Sequence, residues 1–227
     1  ASGPTEPDET TFNDAQAILT KYRINEPKSI MNFLGADKPE TPKPDNPVFK
    51  NMRSHLIATP QHSLEAAARF ARIRGFTPLI LGDAIEGEAR EVARVLAGIT
   101  KQVVRHNQPA QKPCVLLSGG ETTVTVNGSG RGGRNAEFLL SLALELNGLD
   151  GVWAFAGDTD GIDGTEDNAG ALITPDSLKR AGEIGLDAKL MLADNDGYSF
   201  FKQLNDLVIT GPTLTNVNDF RAIVIDN

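Results

Sequence analysis

The chain has 227 residues, with 22 Lys and Arg against 30 Asp and Glu, three His, one Cys and 22 Gly, giving a formal net charge of −8. A hydrophobic share of 40% and a charged share of 23% fit a globular protein and exclude wholesale disorder, and the acidic balance argues against a general nucleic-acid binder. One Cys cannot close an intramolecular disulfide, dispersed His give no zinc cluster, and neither a run of roughly 20 apolar residues nor a signal-peptide pattern occurs, so a soluble cytoplasmic protein is expected.

The chain opens on Ala1-Ser2-Gly3-Pro4-Thr5-Glu6-Pro7-Asp8, turn chemistry without an initiator Met, and reads as the later part of something longer. Phe12, Ala15, Ile18, Leu19 and Tyr22 fall on one helical stripe and predict a helix over about 11–23. Four prolines in 36–48 predict an extended loop. From His55 the pattern predicts a βαβα unit: a strand at Leu56-Ile57-Ala58, a helix capped by Ser63 and ended by Gly75, a strand at Pro78–Leu81, and a helix from Glu88 to Ile99. Polar residues 105–112 form a second linker.

The run Cys114-Val115-Leu116-Leu117 predicts a buried strand, and Thr122–Val126 alternates as another. A glycine-rich loop, 127–133, leads into a predicted amphipathic helix, Asn135–Asn147. Further strands are expected at Val152–Ala156, Leu207–Thr210 and Ala222–Ile225, with helices near Ser177–Ile184 and Gly197–Leu204, giving a mixed α/β architecture.

Four polar loops stand where strands end: Ser118–Thr122, Gly128–Asn135, Ala156–Gly164 and Thr210–Asp219. In α/β sheets the ligand crevice lies beyond strand ends, so these loops are the candidate site. In the second, glycines expose backbone N–H groups ahead of a helix N-terminus and Arg131 and Arg134 bring planar donor forks, a local anion site in an acidic chain. Gly128, Gly130 and Gly133 also satisfy G-x-G-x-x-G, which leaves a dinucleotide reading open, with Asp158 as its ribose partner. The run Asp158-Thr-Asp160-Gly-Ile-Asp163-Gly-Thr-Glu166-Asp167 concentrates five carboxylates. It misses the EF-hand spacing by one place, and Mg²⁺ carried by a nucleotide is its more natural partner. The Asn-rich segments Asp194-Asn195-Asp196 and Asn216-Val217-Asn218-Asp219 offer neutral donors and acceptors for a hydroxylated substrate.

Together, Leu117–Val126, Gly130-Arg131-Gly132-Gly133-Arg134-Asn135, Asp158–Gly164 and Thr210-Gly-Pro-Thr213 with Thr215–Asp219 resemble the C-terminal MOFRL domain of the class II glycerate 2-kinases, whose members are often labelled hydroxypyruvate reductases. Ala1–Thr5 and Gly87–Ala93 resemble the later part of the same family's N-terminal domain. The resemblance implies a Rossmann-like portion of an N-terminal α/β domain over 1–107, a mixed α/β MOFRL domain over 112–227, and ATP- and Mg²⁺-dependent phosphorylation of D-glycerate to 2-phosphoglycerate. NAD(P)H-dependent reduction of hydroxypyruvate is the alternative. It implies catalytic roles for Arg134 and Asp158, substrate or phosphate binding by Gly119, Gly120, Glu121, Arg131, Gly132, Gly133, Asn135, Asn216, Asn218 and Asp219, and metal binding by Asp160 and Asp163. A small hydroxy acid and a nucleotide are then the expected ligands, without nucleic acid or membrane, and a homodimer is an expected assembly. Where the family commonly has Asn-Gln-Glu, this chain has Asn135-Ala136-Glu137. The family's basic active-site residue would lie upstream of Ala1, so the chain by itself is expected to be inactive.

Overall fold

A computed structural model describes residues 3, 5–36 and 39–226, so Ala1, Ser2 and Pro4 of the opening turn and Asp37 and Lys38 of the proline-rich loop lie outside the described residues. The chain divides into two compact units, 1–57 and 58–227. The smaller holds α1 (Phe12–Lys21), α2 (Lys28–Leu34) and a 3₁₀ turn (Pro47–Asn51). Thr11 and Asp14 start α1 with a reciprocal capping box, and the Phe12 and Phe33 rings meet edge-on at 6.1 Å. Leu56 and Ile57, expected as a strand, are 84% and 93% exposed and form no strand among the described residues.

The larger unit begins with α3 (Pro60–Ile73). Its N-cap is Thr59 rather than Ser63: Thr59 Oγ1 accepts from His62 N at 3.2 Å, and Pro60 takes the first helical position, where no N–H is needed. Gly75, at φ +84°, ends the helix as expected. The six-stranded sheet is ordered β1 (Thr77–Gly82), β3 (Cys114–Gly120), β8 (Asp219–Ile225), β5 (Val152–Asp158), β6 (Gly170–Ile173) and β7 (Leu207–Val208). Within this sheet β1 and β3 run parallel, joined through α4 (Ala89–His106), and its other pairings among the described residues are antiparallel. The mixed α/β class is correct. Of the segment expected to be Rossmann-like, 1–107, β1 joins this sheet; beyond that segment β8 returns antiparallel between β3 and β5, since apolar runs alternating with helices predict buried strands without fixing their direction. The division expected at 107–112 separates segments that share this sheet. A second pairing joins β2 (Gly87–Glu88) to β4 (Thr122–Thr123), all that forms of the strand predicted to Val126.

Helix α5 (Arg134–Leu146) packs on one sheet face with α4, α7 (Ala188–Ala193) and α8 (Gly197–Leu204). Its predicted stripe of Phe138, Leu139, Leu142, Ala143 and Leu146 is buried, and so are Leu140 and Ser141 on the remaining circumference, since helices enclose it laterally. Each Leu or Phe among them contributes about 1.5–3 kcal/mol on burial. Leu64 and Ala68 of α3 cover Val115 and Leu117 on the opposite face. Short helix α6 (Ser177–Glu183) completes the unit. The register then sets the site: Gly120 at the end of β3 and Asp158 at the end of β5 both face Asp219 at the start of β8, beside the N-terminus of α5.

Candidate active site

At this sheet end, side chains from β5, β8 and α5 form one network. Arg134 donates through Nε to Asp219 Oδ1 at 2.7 Å and through Nη2 to Asp158 Oδ2. Asp219, 1% exposed, also receives Asn135 Nδ2 on Oδ1 at 2.9 Å, and on Oδ2 Arg221 Nη2 at 2.6 Å and Thr122 N at 3.3 Å. Burial opposes the charge of Arg134, but Asp219 and Asp158 outweigh it and hold the guanidinium above its usual range. Burial likewise pushes Asp158 up from 3.8 to about 6, against the pull of a hydrogen bond from Asp160 N and of Arg134.

That shift predicts a pH dependence. Because the folded-state pKa exceeds the unfolded one, folded protein holds the Asp158 proton more tightly, and this group's contribution to stability falls as pH rises from about 4 to about 6. Denaturant titrations at pH 4.5 and 7 should therefore show Asp158→Asn gaining on the wild type at the higher pH; a gap that widens in the wild type's favour would refute the shift.

A cleft of about 640 Å³ opens beside the network, lined by Glu86, Glu121–Val124, Val126, Gly130, Gly132, Gly133, Arg134, Glu137, Gly164 and Asn195. Of the expected residues it brings together Glu121, Gly132, Gly133 and Arg134. Asp158 and Asp219 stand behind Arg134, and Asn135 bridges Asp163 to Asp219. Arg131 does not line the cleft: it pairs with Glu166 and stacks over Tyr198 at 4.7 Å. Asn216 reaches Asp160 Oδ2 at 3.4 Å and accepts from Asn218 N at 3.1 Å, in a loop cluster outside the lining. Gly119 and Gly120 serve backbone packing. Ile85 N bonds Gly119 O at 2.9 Å, and a Cβ on Gly120, φ +129°, would stand 2.2 Å from Ile85 O.

The first part of the glycine loop, 127–131, commits its backbone N–H groups to partners within the protein. The N–H groups of Asn127 and Gly128 donate to Asn195 Oδ1, that of Ser129 to Asp194 Oδ1, that of Gly130 to Asp194 O and that of Arg131 to Asp196 Oδ1. The loop is thus fastened along 194–196, so closely that a Cβ on Gly128 would stand 2.3 Å from Asp194 O. Asn195 is in turn held by Glu137, which Arg90 grips through Nε at 2.7 Å. The α5 N-terminus is also taken: Asp163, fully buried, accepts Asn135 N at 3.0 Å and Ala136 N at 2.9 Å. A pyrophosphate seated there, as the dinucleotide reading requires, would meet that carboxylate.

The same observation bears on the metal assignment. Both oxygens of Asp163 are occupied by α5 donors, Asp160 Oδ1 accepts Ile162 N at 2.9 Å, and among the described residues no group of three or more His, Cys, Asp or Glu could hold a metal ion. The described residues therefore form no all-protein Mg²⁺ cage, and a Mg²⁺ held by one or two carboxylates together with substrate phosphates needs none. Sequence reasoning missed Arg221, Glu137 and Arg90. Arg221 lies one residue before the predicted strand, and in the structure β8 alternates buried and half-buried residues from Asp219 to Ile225 with Arg221 at an inward position.

The MOFRL family model matches residues 114–219, from the first residue of β3 to the first of β8. A putative hydroxypyruvate reductase of Agrobacterium vitis is 54% identical over 227 residues, 99% of this chain and 51% of that protein. A D-glycerate 2-kinase of Thermotoga maritima is 41% identical over 219 residues, 96% of this chain and 51% of that protein. The crystal structure of a Thermotoga maritima glycerate kinase superposes with a TM-score of 0.82 at 39% identity, covering 99% of this chain and 52% of that one. The chain belongs to the glycerate kinase family. It spans about half the length of the curated relatives it matches. Among the described residues no helix is long and apolar enough to cross a membrane.

Proposed function

We propose that the protein transfers the γ-phosphoryl group of ATP to the 2-hydroxyl of D-glycerate. One observation carries the reading: in a family of glycerate kinases, Arg134 is held at the cleft wall by two buried carboxylates, a cation built in place for an anionic ligand. Phosphoryl transfer needs positioning and charge stabilisation more than covalent chemistry from the protein, and a guanidinium fixed by a fork of hydrogen bonds supplies both. Arg134 contacts the glycerate carboxylate or the phosphoryl group in flight; Asp158 and Asp219 set its orientation. Gly132 and Gly133 present cleft-wall backbone to the same anion. Mg²⁺ enters with the nucleotide phosphates, and no step is assigned to a protein-held ion. Residues 112–227 constitute the MOFRL domain and 1–107 the later part of the N-terminal domain, in a cytoplasmic enzyme.

The reductase alternative needs a pyrophosphate on the glycine loop, whose amides are already bonded to 194–196. Parallel assays on the full-length protein separate the two. ADP release dependent on D-glycerate is expected, and NAD(P)H oxidation dependent on hydroxypyruvate without any ADP release would overturn the proposal.

A further inference from the structure

We propose that Arg221 is a positioning residue that keeps Arg134 available to an anionic ligand by taking half of Asp219. The inference rests on the reading of Arg134 as the cation that faces the ligand, and adds a residue that does not itself line the cleft.

Arg221 is 1% exposed and faces inward from β8, two residues beyond Asp219. Its Nη2 donates to Asp219 Oδ2 at 2.6 Å and Thr122 Oγ1 at 3.1 Å, and its guanidinium lies over the Phe138 ring at 5.3 Å. Its Nε and Nη1 have no hydrogen-bond partner among the described residues. Burying a guanidinium with two nitrogens unpaired is costly, and an apolar side chain of similar length would fill the space without that cost. What Arg221 adds is positive charge against one oxygen of Asp219.

The charges around Arg134 show what that does. Asp163 is met by backbone donors of α5 and by Asn135. Asp158 and Asp219 remain, against Arg134 and Arg221, and the four charges balance. Without Arg221, Arg134 alone faces both carboxylates, and the same set becomes net negative by one, adding to the charge of Glu121 that is on the cleft wall in either case. An incoming anion would then meet excess negative charge in a setting of low dielectric, where charge interactions are strong. Arg221 therefore acts on the ligand through Asp219, by charge balance rather than contact.

The test uses inorganic phosphate as the probe, titrated calorimetrically into the full-length protein, with circular dichroism and Tm to confirm folding. Arg221→Met should weaken phosphate binding about tenfold, whereas Arg221→Lys, which keeps the charge, should stay within about threefold of wild type. Asp219→Asn combined with Arg221→Met removes one charge of each sign and should recover most of the loss, a coupling that a structural role does not produce. Wild-type affinity in folded Arg221→Met, a double variant weaker than the single, or no phosphate binding by the wild type would each overturn the proposal. If Arg221→Met fails to fold, Arg221→Lys decides: a tenfold loss in the folded protein overturns the charge argument. Kinase turnover is measured alongside, so that absent glycerate phosphorylation with the phosphate pattern intact would refute the proposed function alone.

Discussion

Replacing Arg134 with Ala in the full-length protein is expected to lower kcat/KM for glycerate phosphorylation by about 10²–10³-fold, the loss typical of one fixed charge-stabilising donor. The side chain reaches the cleft from the first residue of α5 and is locked by Asp219 and Asp158, so its removal deletes the cation and leaves two buried carboxylates facing one another. Arg134→Lys should restore only part of the activity, because a single ammonium cannot bond both carboxylates in the planar geometry of a guanidinium. The diagnostic split is a fall in kcat together with kcat/KM, marking an interaction strengthened in the transition state. An Arg134→Ala enzyme with wild-type kcat/KM would remove the residue from the mechanism.

Asp163→Ala should destabilise the fold by about 2–4 kcal/mol, combining a lost helix cap with buried N–H groups left unpaired. The carboxylate takes Asn135 N, Ala136 N and Asn135 Nδ2, and it fits against Gly133, where a Cβ would stand 2.4 Å from its Oδ1. Urea titration with an unchanged m-value measures the loss. The same loss should appear in excess Mg²⁺ and in chelator, since the residue works as a cap. A loss confined to Mg²⁺-containing buffer would return Asp163 to the metal role.

Both predictions depend on features partly legible in the sequence. The helix carrying Arg134 was readable from Phe138, Leu139, Leu142, Ala143 and Leu146, and the buried strand from Cys114–Leu117, because apolar periodicity records burial directly. The loops that gather at the site were readable as polar runs after strands. Strand direction was not, and with it went the register that sets Gly120 and Asp158 across from Asp219. Nor could sequence tell a glycine that binds anions from one that permits close packing. Gly128 and Gly130 fit a phosphate fingerprint, yet their neighbours across space, Asp194 and Asp196, decide their use. Asp163 looked like a metal ligand for the same reason: a carboxylate in an acidic loop is defined by the donors that reach it. Arg221 was hidden by a strand read as starting at Ala222, one residue too late to include it.

The most direct measurement is the proton-coupled ³¹P NMR spectrum of the product formed by the full-length protein from ATP, Mg²⁺ and D-glycerate. Transfer to the 2-hydroxyl places phosphorus next to a single carbon-bound hydrogen and predicts a new phosphomonoester doublet growing with ADP. A triplet, from transfer to the CH₂ oxygen, or ATP left unconsumed by an enzyme that oxidises NAD(P)H with hydroxypyruvate, would contradict the account.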